Sequence, residues 1–164
     1  MTSDFRSAMR GLCQSVGIVT ACDDGRWAGM TASSITSVSM EPPSLLVCVN
    51  RDASIHAAIV RSRRFSVNFL ADGQEQLSRL FSSPISNEER FVHGRWSAGT
   101  GQPPELEGAL SVLACALEHA SSVATHTIFV GRVQSVVTEP DRSPLVYLNG
   151  RYHPMGNRCD PALA

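Results

Sequence analysis

The chain of 164 residues lacks the features that mark several large classes of protein. Its five cysteines are odd in number and contain no CxxC pair, so neither a disulfide framework nor a zinc site is supported. No apolar run approaches the roughly 20 residues that a transmembrane helix needs. The first ten residues hold no apolar segment of the kind found in secretory signals. These absences favour a reducing cytoplasm as the compartment.

An excess of charge of either sign is also missing. The sequence has 14 Lys and Arg residues against 15 Asp and Glu residues, which gives a formal net charge of −1. A nucleic-acid or acidic-membrane partner is therefore not indicated. The content of 43% hydrophobic and 18% charged residues is typical of a globular protein, and the length suits one domain with a sizeable core.

Common catalytic and nucleotide-binding signatures are absent as well. No GxGxxG follows a β-rich segment and no P-loop is present, which argues against a Rossmann or P-loop nucleotide site. The five histidines have no metal-ligand spacing and no HExxH, so we expect no metal site. Without a GxSxG, Ser/His/Asp hydrolysis has no support either.

What the chain does have is a series of β-rich segments separated by turns. Strands are expected over residues 17–22, about 27–31, 44–49, 65–70, 110–118, 126–137 and 145–148. Short helices are expected over residues 5–13, from an N-cap at Ser54 onward and over 74–81, and residues 82–107 are expected to form a long polar loop. Cys22, Cys48 and Cys115 lie in apolar runs and are interpreted as small buried hydrophobes. This pattern favours a barrel or a sandwich over a doubly wound α/β sheet.

A small, neutral and hydroxyl-rich stretch follows the second expected strand. It contains Thr31, Ala32, Ser33, Ser34 and Ser37 between two apolar runs. Short side chains let backbone N–H groups and hydroxyls approach a flat heterocycle edged with carbonyls and ring nitrogens. The alternative is a solvated, hydroxyl-rich turn.

A strand end that leads into a helix is the second candidate site. Cys48, Val49 and Asn50 end an apolar strand, and Arg51 and Ser54 precede the helix. A helix N-terminus presents unpaired N–H groups and the positive end of its dipole, so with Arg51 it could hold a phosphate. A plain connection with an N-cap is the alternative.

Three further positions carry groups that could take part in chemistry. His126 opens a strand, and a neutral histidine at the mouth of a barrel can donate to a carboxamide or to a developing negative charge. The pairs Arg90-Phe91 and Arg151-Tyr152 each combine a cation with a ring suited to stacking or anion capture. The alternatives are a surface histidine and two structural pairs.

In combination, these segments resemble a known family. The matching stretches are GMTASS at 29–34, SVSMEPP at 37–43, LVCVN at 46–50, FSVN at 65–68, ERF at 89–91, LEGAL at 106–110, THTIFVG at 125–131 and GRY at 150–152. They resemble the flavin reductase components of two-component flavin-dependent monooxygenases, including those that serve aromatic hydroxylation and pyrimidine-ring opening. The resemblance covers nearly the whole chain, and the order and spacing of the stretches make it specific.

The resemblance implies a mainly β fold, a split β-barrel with a Greek-key core and a few short helices. It implies one domain over residues 1–164, with a core of about 5–156, that forms a homodimer with a flavin groove at the subunit interface. The implied activity is hydride transfer from NADH, or NADPH, to FMN or FAD, which supplies reduced flavin to a partner monooxygenase. The alternatives are a flavin- or haem-binding module without turnover and an oxidase of the pyridoxamine-phosphate type.

The resemblance also implies roles for residues at the matching positions. The isoalloxazine ring would contact Thr31, Ala32, Ser33, Ser34 and Ser37, with Cys48, Val49 and Asn50 alongside the flavin. Its phosphate would be held by Arg51 and Ser54, and the groove would be closed by Phe81, Arg90 and Phe91. The nicotinamide side would be faced by Tyr152 and by His126 as the catalytic residue. Many relatives have Gly-Asp or Gly-Thr before this histidine, whereas this chain has Ala124-Thr125, which restricts the backbone and removes an acidic partner for the imidazole.

Overall fold

The computed structural model of the protein describes residues 1–155, so Cys159 and the end of the expected core lie outside the described residues. The helices are α1 (Thr2–Arg10), α2 (Ser54–Ser62), α3 (Glu75–Ser82) and α4 (Asn87–Phe91). The strands are β1 (Gln14–Ser15), β2 (Gly17–Asp23), β3 (Arg26–Ala32), β4 (Ile35–Met40), β5 (Pro43–Asn50), β6 (Arg64–Phe69), β7 (Trp96–Ser97), β8 (Glu105–Leu106), β9 (Ser111–Val123), β10 (His126–Thr138), β11 (Leu145–Leu148) and β12 (Arg151–Pro154). None of these helices is long and apolar enough to cross a membrane.

Seven antiparallel strands build the barrel. Their order is β3-β2-β6-β9-β10-β5-β4, so several neighbours in the sheet are distant in the chain. The sheet curls until the loop after β3 meets β5, where the Cys48 N–H donates to the Ser34 carbonyl over 3.1 Å. Smaller sheets of order β1-β11-β12 and β7-β8 lie beside it. This architecture confirms the expected mainly β split barrel with a few short helices.

Two apolar clusters occupy the two faces of the curled sheet. The first fills the barrel and includes Val47, Phe65 and Phe129, each fully buried, with α2 packed over it. The second lies outside the barrel, under α3 and β11. Neighbouring residues of β2 serve different clusters, Ile18 the second and Val19 the first, because successive side chains of a strand point to opposite faces. Burial on both faces explains the unbroken apolar run in this strand.

Asn68 joins β6 to two neighbouring segments in the interior. Its side chain is fully buried, and its amide donates to the Ile18 carbonyl over 3.0 Å. Its Oδ1 accepts the Leu106 N–H over 2.8 Å. Since a buried amide costs free energy unless it is hydrogen-bonded, this asparagine fixes the segment before β9 against the barrel.

The thiols differ in burial. Cys22 and Cys115 are 4% and 3% exposed, as expected of small hydrophobes, but Cys48 is only half-buried. Cys48 differs because it lies on the face of β5 opposite its buried neighbours Val47 and Val49. Cys13 is exposed.

Burial makes the Cys115 thiol unreactive. It raises the pKa of Cys115 from 9.0 to about 12, so the thiolate that attacks thiol reagents is scarce at about pH 8. We expect mass mapping to show rapid labelling of Cys13 and labelling of Cys115 only after unfolding. Equal native rates for the two thiols would contradict this expectation.

The same shift has a consequence for stability at alkaline pH. A thiol whose folded pKa is raised contributes stability fully below its unfolded pKa of 9.0 and loses that contribution as pH rises toward about 12. Denaturant titrations across this interval should therefore show a steeper loss of unfolding free energy for the wild type than for Cys115→Ala. Parallel pH dependences of the two proteins would argue against it.

The expectation of one long polar loop over residues 82–107 is wrong in part. The segment contains α4 and the β7-β8 ladder. A capping box starts α4, in which the Ser86 hydroxyl accepts the Glu89 N–H and the Glu89 carboxylate accepts the Ser86 N–H. The hydrogen bonds from Ser86, chiefly that of its backbone N–H, lower the pKa of Glu89. Local capping thus forms a helix in a stretch that lacks apolar periodicity.

Two helix starts differ from the sequence-based expectation. The N-cap of α2 is Ala53, with no side-chain cap, and Ser54 is the first helical residue. The first helix spans Thr2–Arg10 rather than residues 5–13, and it buries no residue. Phe5 and Met9 on its apolar side are 67% and 40% exposed, so periodicity predicted the helix correctly but not a packing partner.

Candidate active site

The hydroxyl-rich stretch forms a short loop between β3 and β4. Thr31, at the end of β3, donates its hydroxyl to the Ser78 carbonyl over 2.7 Å, which holds β3 against α3. Ser34 bonds to β5 twice, because its carbonyl accepts the Cys48 N–H and its hydroxyl lies 3.3 Å from the Cys48 carbonyl. Ala32 is buried, while Ser34 and Ser37 are exposed and Ser33 is half-buried. Residues 31–34, called the hydroxyl loop below, are therefore held on a fixed backbone, with the Thr31 and Ser34 hydroxyls bonded to carbonyls of α3 and β5.

The end of β5 forms the next part of the site. Val49 is fully buried in the barrel core, so only its backbone faces outward, whereas Asn50 is half-buried. The Asn50 Oδ1 accepts the Asp52 N–H over 3.0 Å, which shapes the turn into α2. Arg51 and Ser54 are exposed, and the Ser54 hydroxyl accepts a hydrogen bond from the Asn87 amide over 3.3 Å.

His126 lies directly beside this turn. It is the first residue of β10, opposite Asn50 in the ladder with β5 and opposite Val123 in the ladder with β9. Its Nδ1 lies 2.9 Å from the Thr125 hydroxyl. The Arg51 backbone N–H donates to the Thr125 carbonyl over 3.0 Å. The structure therefore brings the ends of β5 and β10 together at one place.

We call this place the barrel mouth and define it by residues that adjoin one another through these contacts. Its members are Ser34, Cys48, Asn50, Arg51 and His126. It presents one hydroxyl, one thiol, a side-chain amide, one imidazole and one guanidinium. Among residues 1–155, no group of three or more His, Cys, Asp and Glu side chains could hold a metal ion. The mouth is therefore suited to hydrogen bonding and anion binding.

The turn before His126 has an uncommon backbone. Ala124 has a φ of +48°, in the left-handed region that favours glycine. This is the position at which many relatives have Gly, and the alanine restricts the backbone there. The loss of Asp leaves the imidazole with a partner nonetheless, because the Thr125 hydroxyl contacts Nδ1. A hydroxyl can orient the ring as a carboxylate would, but it adds no negative charge.

The residues expected to close the groove lie behind β3 within one subunit. Phe81 is 1% exposed, and its ring centroid is 5.1 Å from that of Phe91. Arg90 donates to the Gly29 carbonyl over 2.8 Å and to the Ser83 carbonyl over 2.6 Å. Its partial burial lowers the pKa of the Arg90 guanidinium. These contacts stabilise β3, the strand that leads into the hydroxyl loop.

Tyr152 lies on the other side of the hydroxyl loop from the barrel mouth. Its hydroxyl donates to the Ser78 hydroxyl over 2.8 Å, and the Arg79 guanidinium carbon is 5.0 Å from its ring centroid. Tyr152 and Thr31 line a cavity of about 190 Å³ together with Ser33. The described contacts thus join Tyr152 to the hydroxyl loop, and none joins it to His126.

Comparison with known proteins decides the family. Residues 9–156 match the family model described as a flavin reductase like domain. The chain belongs to the flavin reductase family. This membership confirms the expected class of enzyme, a flavin reductase that uses a reduced nicotinamide.

Individual flavin reductases resemble the chain over most of its length. An FMN reductase (NADH), RutF, of Pseudomonas syringae is 40% identical over 149 residues, which is 91% of this chain and 84% of the relative. The reductase component of an FADH(2)-dependent resorcinol hydroxylase of a Rhizobium species is 40% identical over 151 residues, which is 91% of this chain and 84% of the relative. The NADH:FAD oxidoreductase SgcE6 of Streptomyces globisporus, solved with NAD and FAD fragments, superposes with a TM-score of 0.89 at 31% identity, covering 97% of this chain and 95% of that one.

Two polar residues of this flavin reductase were not anticipated from the sequence. Ser78 is fully buried and receives hydrogen bonds from both Thr31 and Tyr152. Asn87 joins the Ser54 hydroxyl to the Gly29 backbone N–H, each over 3.3 Å. The burial of Ser78 could have been predicted from the position of this serine on the apolar side of α3. The role of Asn87 depends on contacts distant in the chain and leaves no local pattern.

Proposed function

We propose that the protein reduces FMN or FAD with NADH and supplies the reduced flavin to a partner monooxygenase. The observation that carries this proposal is the barrel mouth, where a hydroxyl loop, a side-chain amide, a guanidinium and an imidazole adjoin one another. The Rhizobium relative, a reductase component of a hydroxylase, supports the partner. The proposal includes a single domain over the chain and a cytoplasmic location. The balanced charge of the chain and the free thiols of the cysteines within residues 1–155 are compatible with this location.

The donor set of the mouth fits a flavin. The backbone of the hydroxyl loop and of Cys48, Val49 and Asn50 would run along the ring, because the side chains of the loop are short and that of Val49 is buried in the barrel. Arg51 and Ser54 would hold the phosphate at the start of α2, where the unpaired N–H groups add to the attraction. A bound flavin supplies the capacity to accept a hydride at its ring. The chain's own part is to hold, orient and partly desolvate the reactants.

His126 would orient the nicotinamide. Its Nδ1 is in contact with the Thr125 hydroxyl, so its Nε2 remains for a substrate carboxamide. Its pairing with Asn50 places His126 at the end of β5. Tyr152, from the other side of the hydroxyl loop, would contribute through Thr31 and Ser78, and Phe81, Arg90 and Phe91 would contribute by stabilising β3.

We propose that a second copy of the chain completes the groove. An apolar depression of about 270 Å³ lies between β4, β6 and the ends of β9 and β10. Met40 and Val136 on its rim are 81% and 57% exposed, and Val38 on the edge strand β4 is 52% exposed. Exposed apolar surface of this kind is typical of an interface between subunits. The depression includes Ser37, which would bring the partner close to the flavin.

Arg51→Ala should lower the affinity for a flavin that has a phosphate more than the affinity for one that has none. We expect the Kd of FMN to rise by about tenfold, because a charge-assisted hydrogen bond to phosphate is lost. The Kd of riboflavin, which has no phosphate, should change by less than about threefold. Fluorescence titration of both flavins measures this. An equal loss of affinity for both would remove Arg51 from phosphate binding.

Turnover tests the proposed activity directly. Purified protein is mixed with NADH and free FMN, and the loss of NADH absorbance is followed. We expect decay well above the protein-free rate. Decay at the protein-free rate would instead favour a flavin- or haem-binding module. Oxygen uptake with pyridoxamine phosphate in place of NADH would favour the oxidase alternative.

A further inference from the structure

We infer that Arg51 is a positioning residue that holds the turn between β9 and β10, and with it His126, against the end of β5. This role is separate from the phosphate contact proposed above and is a property of the protein without flavin. Its effect on turnover rests on the proposed function of His126. The turn consists of Ala124 and Thr125.

Arg51 reaches this turn twice. Its backbone N–H donates to the Thr125 carbonyl over 3.0 Å. Its guanidinium Nη2 donates to the Ala124 carbonyl. One residue of the β5–α2 connection therefore binds two consecutive carbonyls of the turn. A guanidinium has five N–H donors, so holding the turn leaves others for an anion at the mouth.

The turn depends on its two hydrogen bonds with Arg51, because the ladders of β9 with β6 and of β10 with β5 end before the turn. The ladder between β6 and β9 reaches only Ala116, opposite Arg64, so the last residues of β9 pair with β10 alone. Residues 118–126 are all exposed. The ladder between β5 and β10 ends at His126 and Asn50, one residue short of the turn. Beyond Ala116, β9 is therefore an edge strand paired on one side only, and the turn lies past the last ladder pair of β5, so a contact from outside the two strands steadies it.

The backbone of the turn increases the need for such a contact. Ala124 has a φ of +48°, a conformation that is unfavourable for a residue with a Cβ. Arg51 binds the Ala124 carbonyl and so favours the conformation that the Cβ disfavours. In a relative with glycine at this position the turn would need less support.

Displacement of the turn would displace the imidazole. Thr125 contacts the His126 Nδ1 over 2.9 Å, and its own carbonyl is bound by the Arg51 N–H. The described neighbours of His126 are the Thr125 hydroxyl within the turn, its ladder partner Asn50 in β5 and its ladder partner Val123 in β9. A looser turn therefore leaves the ring without a fixed direction at the mouth.

Arg51→Lys tests the hold while keeping the charge that a phosphate needs. An ammonium is a point charge on a flexible stem and does not reproduce the guanidinium fork. Arg63→Lys is the matched control, since the Arg63 Nη2 also donates to a β9 carbonyl, that of Leu117 over 3.0 Å, away from the turn. Both arginines are exposed, so both variants should fold.

Hydrogen exchange on the flavin-free proteins is the first measurement. In Arg51→Lys we expect peptides covering residues 119–127 to exchange about tenfold faster than in the wild type, because a local opening has become easier. Arg63→Lys should leave these peptides unchanged. Unchanged exchange in Arg51→Lys would overturn the inference, whatever the enzyme does.

Steady-state kinetics is the second measurement. With NADH we expect kcat of Arg51→Lys to fall by about tenfold, because the orienting imidazole is misplaced. The KM for FMN should change by less than about threefold, since the positive charge is kept. A rise in KM with unchanged kcat would overturn the positioning role. Faster exchange with normal turnover in both Arg51→Lys and His126→Ala would keep the hold on the turn and refute the proposed function of His126.

Discussion

His126→Ala is expected to lower the rate of NADH-dependent FMN reduction by about 100-fold, in the range that one positioned polar group contributes. The imidazole is exposed at the barrel mouth, and its Nε2 is the group free to meet a substrate. The affinity for FMN should change by less than about threefold, because the hydroxyl loop and the α2 N-terminus are untouched.

Rapid mixing of the FMN-saturated variant with NADH measures this effect at the chemical step. His119→Ala is a suitable control, since His119 is exposed on β9 of the same hairpin, opposite Val130. The control should retain wild-type rates. If the affinity of His126→Ala for FMN collapses while reduction in the saturated complex is normal, the role given to His126 is wrong.

The largest effect on stability is expected for Gly131→Ala. A Cβ at Gly131 would lie 2.5 Å from Phe65 Cζ and 2.9 Å from Cys115 Cβ. Phe65 is fully buried in the barrel core, and Gly131 lies beside a register shift in the β9-β10 ladder. Neither neighbour has a free direction, so the substitution should lower the free energy of unfolding by about 3 kcal/mol, as overpacked cores do.

Urea denaturation of the purified variant measures this loss. Gly11→Ala serves as the control, because a Cβ there comes no closer than 3.4 Å to any described atom, the Ala8 carbonyl oxygen. Its free energy of unfolding should stay within about 0.5 kcal/mol of the wild type. The double variant Gly131→Ala with Phe65→Leu should recover part of the loss. Equal stability of Gly131→Ala and the wild type would show that the packing between β10 and β6 is not as described.

The sequence predicted the strands well where local patterns carry the information. The end of β11 and the start of β10 agree with the structure, because apolar runs flanked by turn residues fix them. These strand ends depend on residues that are close in the chain. The roles that the family resemblance implied for the hydroxyl loop and the α2 connection stay predictions.

Features that depend on distant partners could not be predicted in this way. The contact of Tyr152 with Ser78 spans 74 positions, and the bond from Arg51 to Ala124 spans 73. The apolar side of α1 has the same periodicity as the apolar side of a buried helix. Whether it is exposed depends on whether another part of the chain packs against it, which the periodicity does not show. In α4 a capping box starts the helix in a segment whose apolar residues show no helical periodicity.

Every role proposed for the site residues depends on where the flavin lies. A crystal structure of the protein with FMN would locate it. We expect the isoalloxazine ring against the backbone of the hydroxyl loop and of Cys48 to Asn50, with its phosphate near Arg51 and Ser54 and a second subunit over it. A flavin found instead in the charged cavity lined by Arg95 and Arg142, or with its phosphate remote from Arg51, would show that the proposed site is wrong.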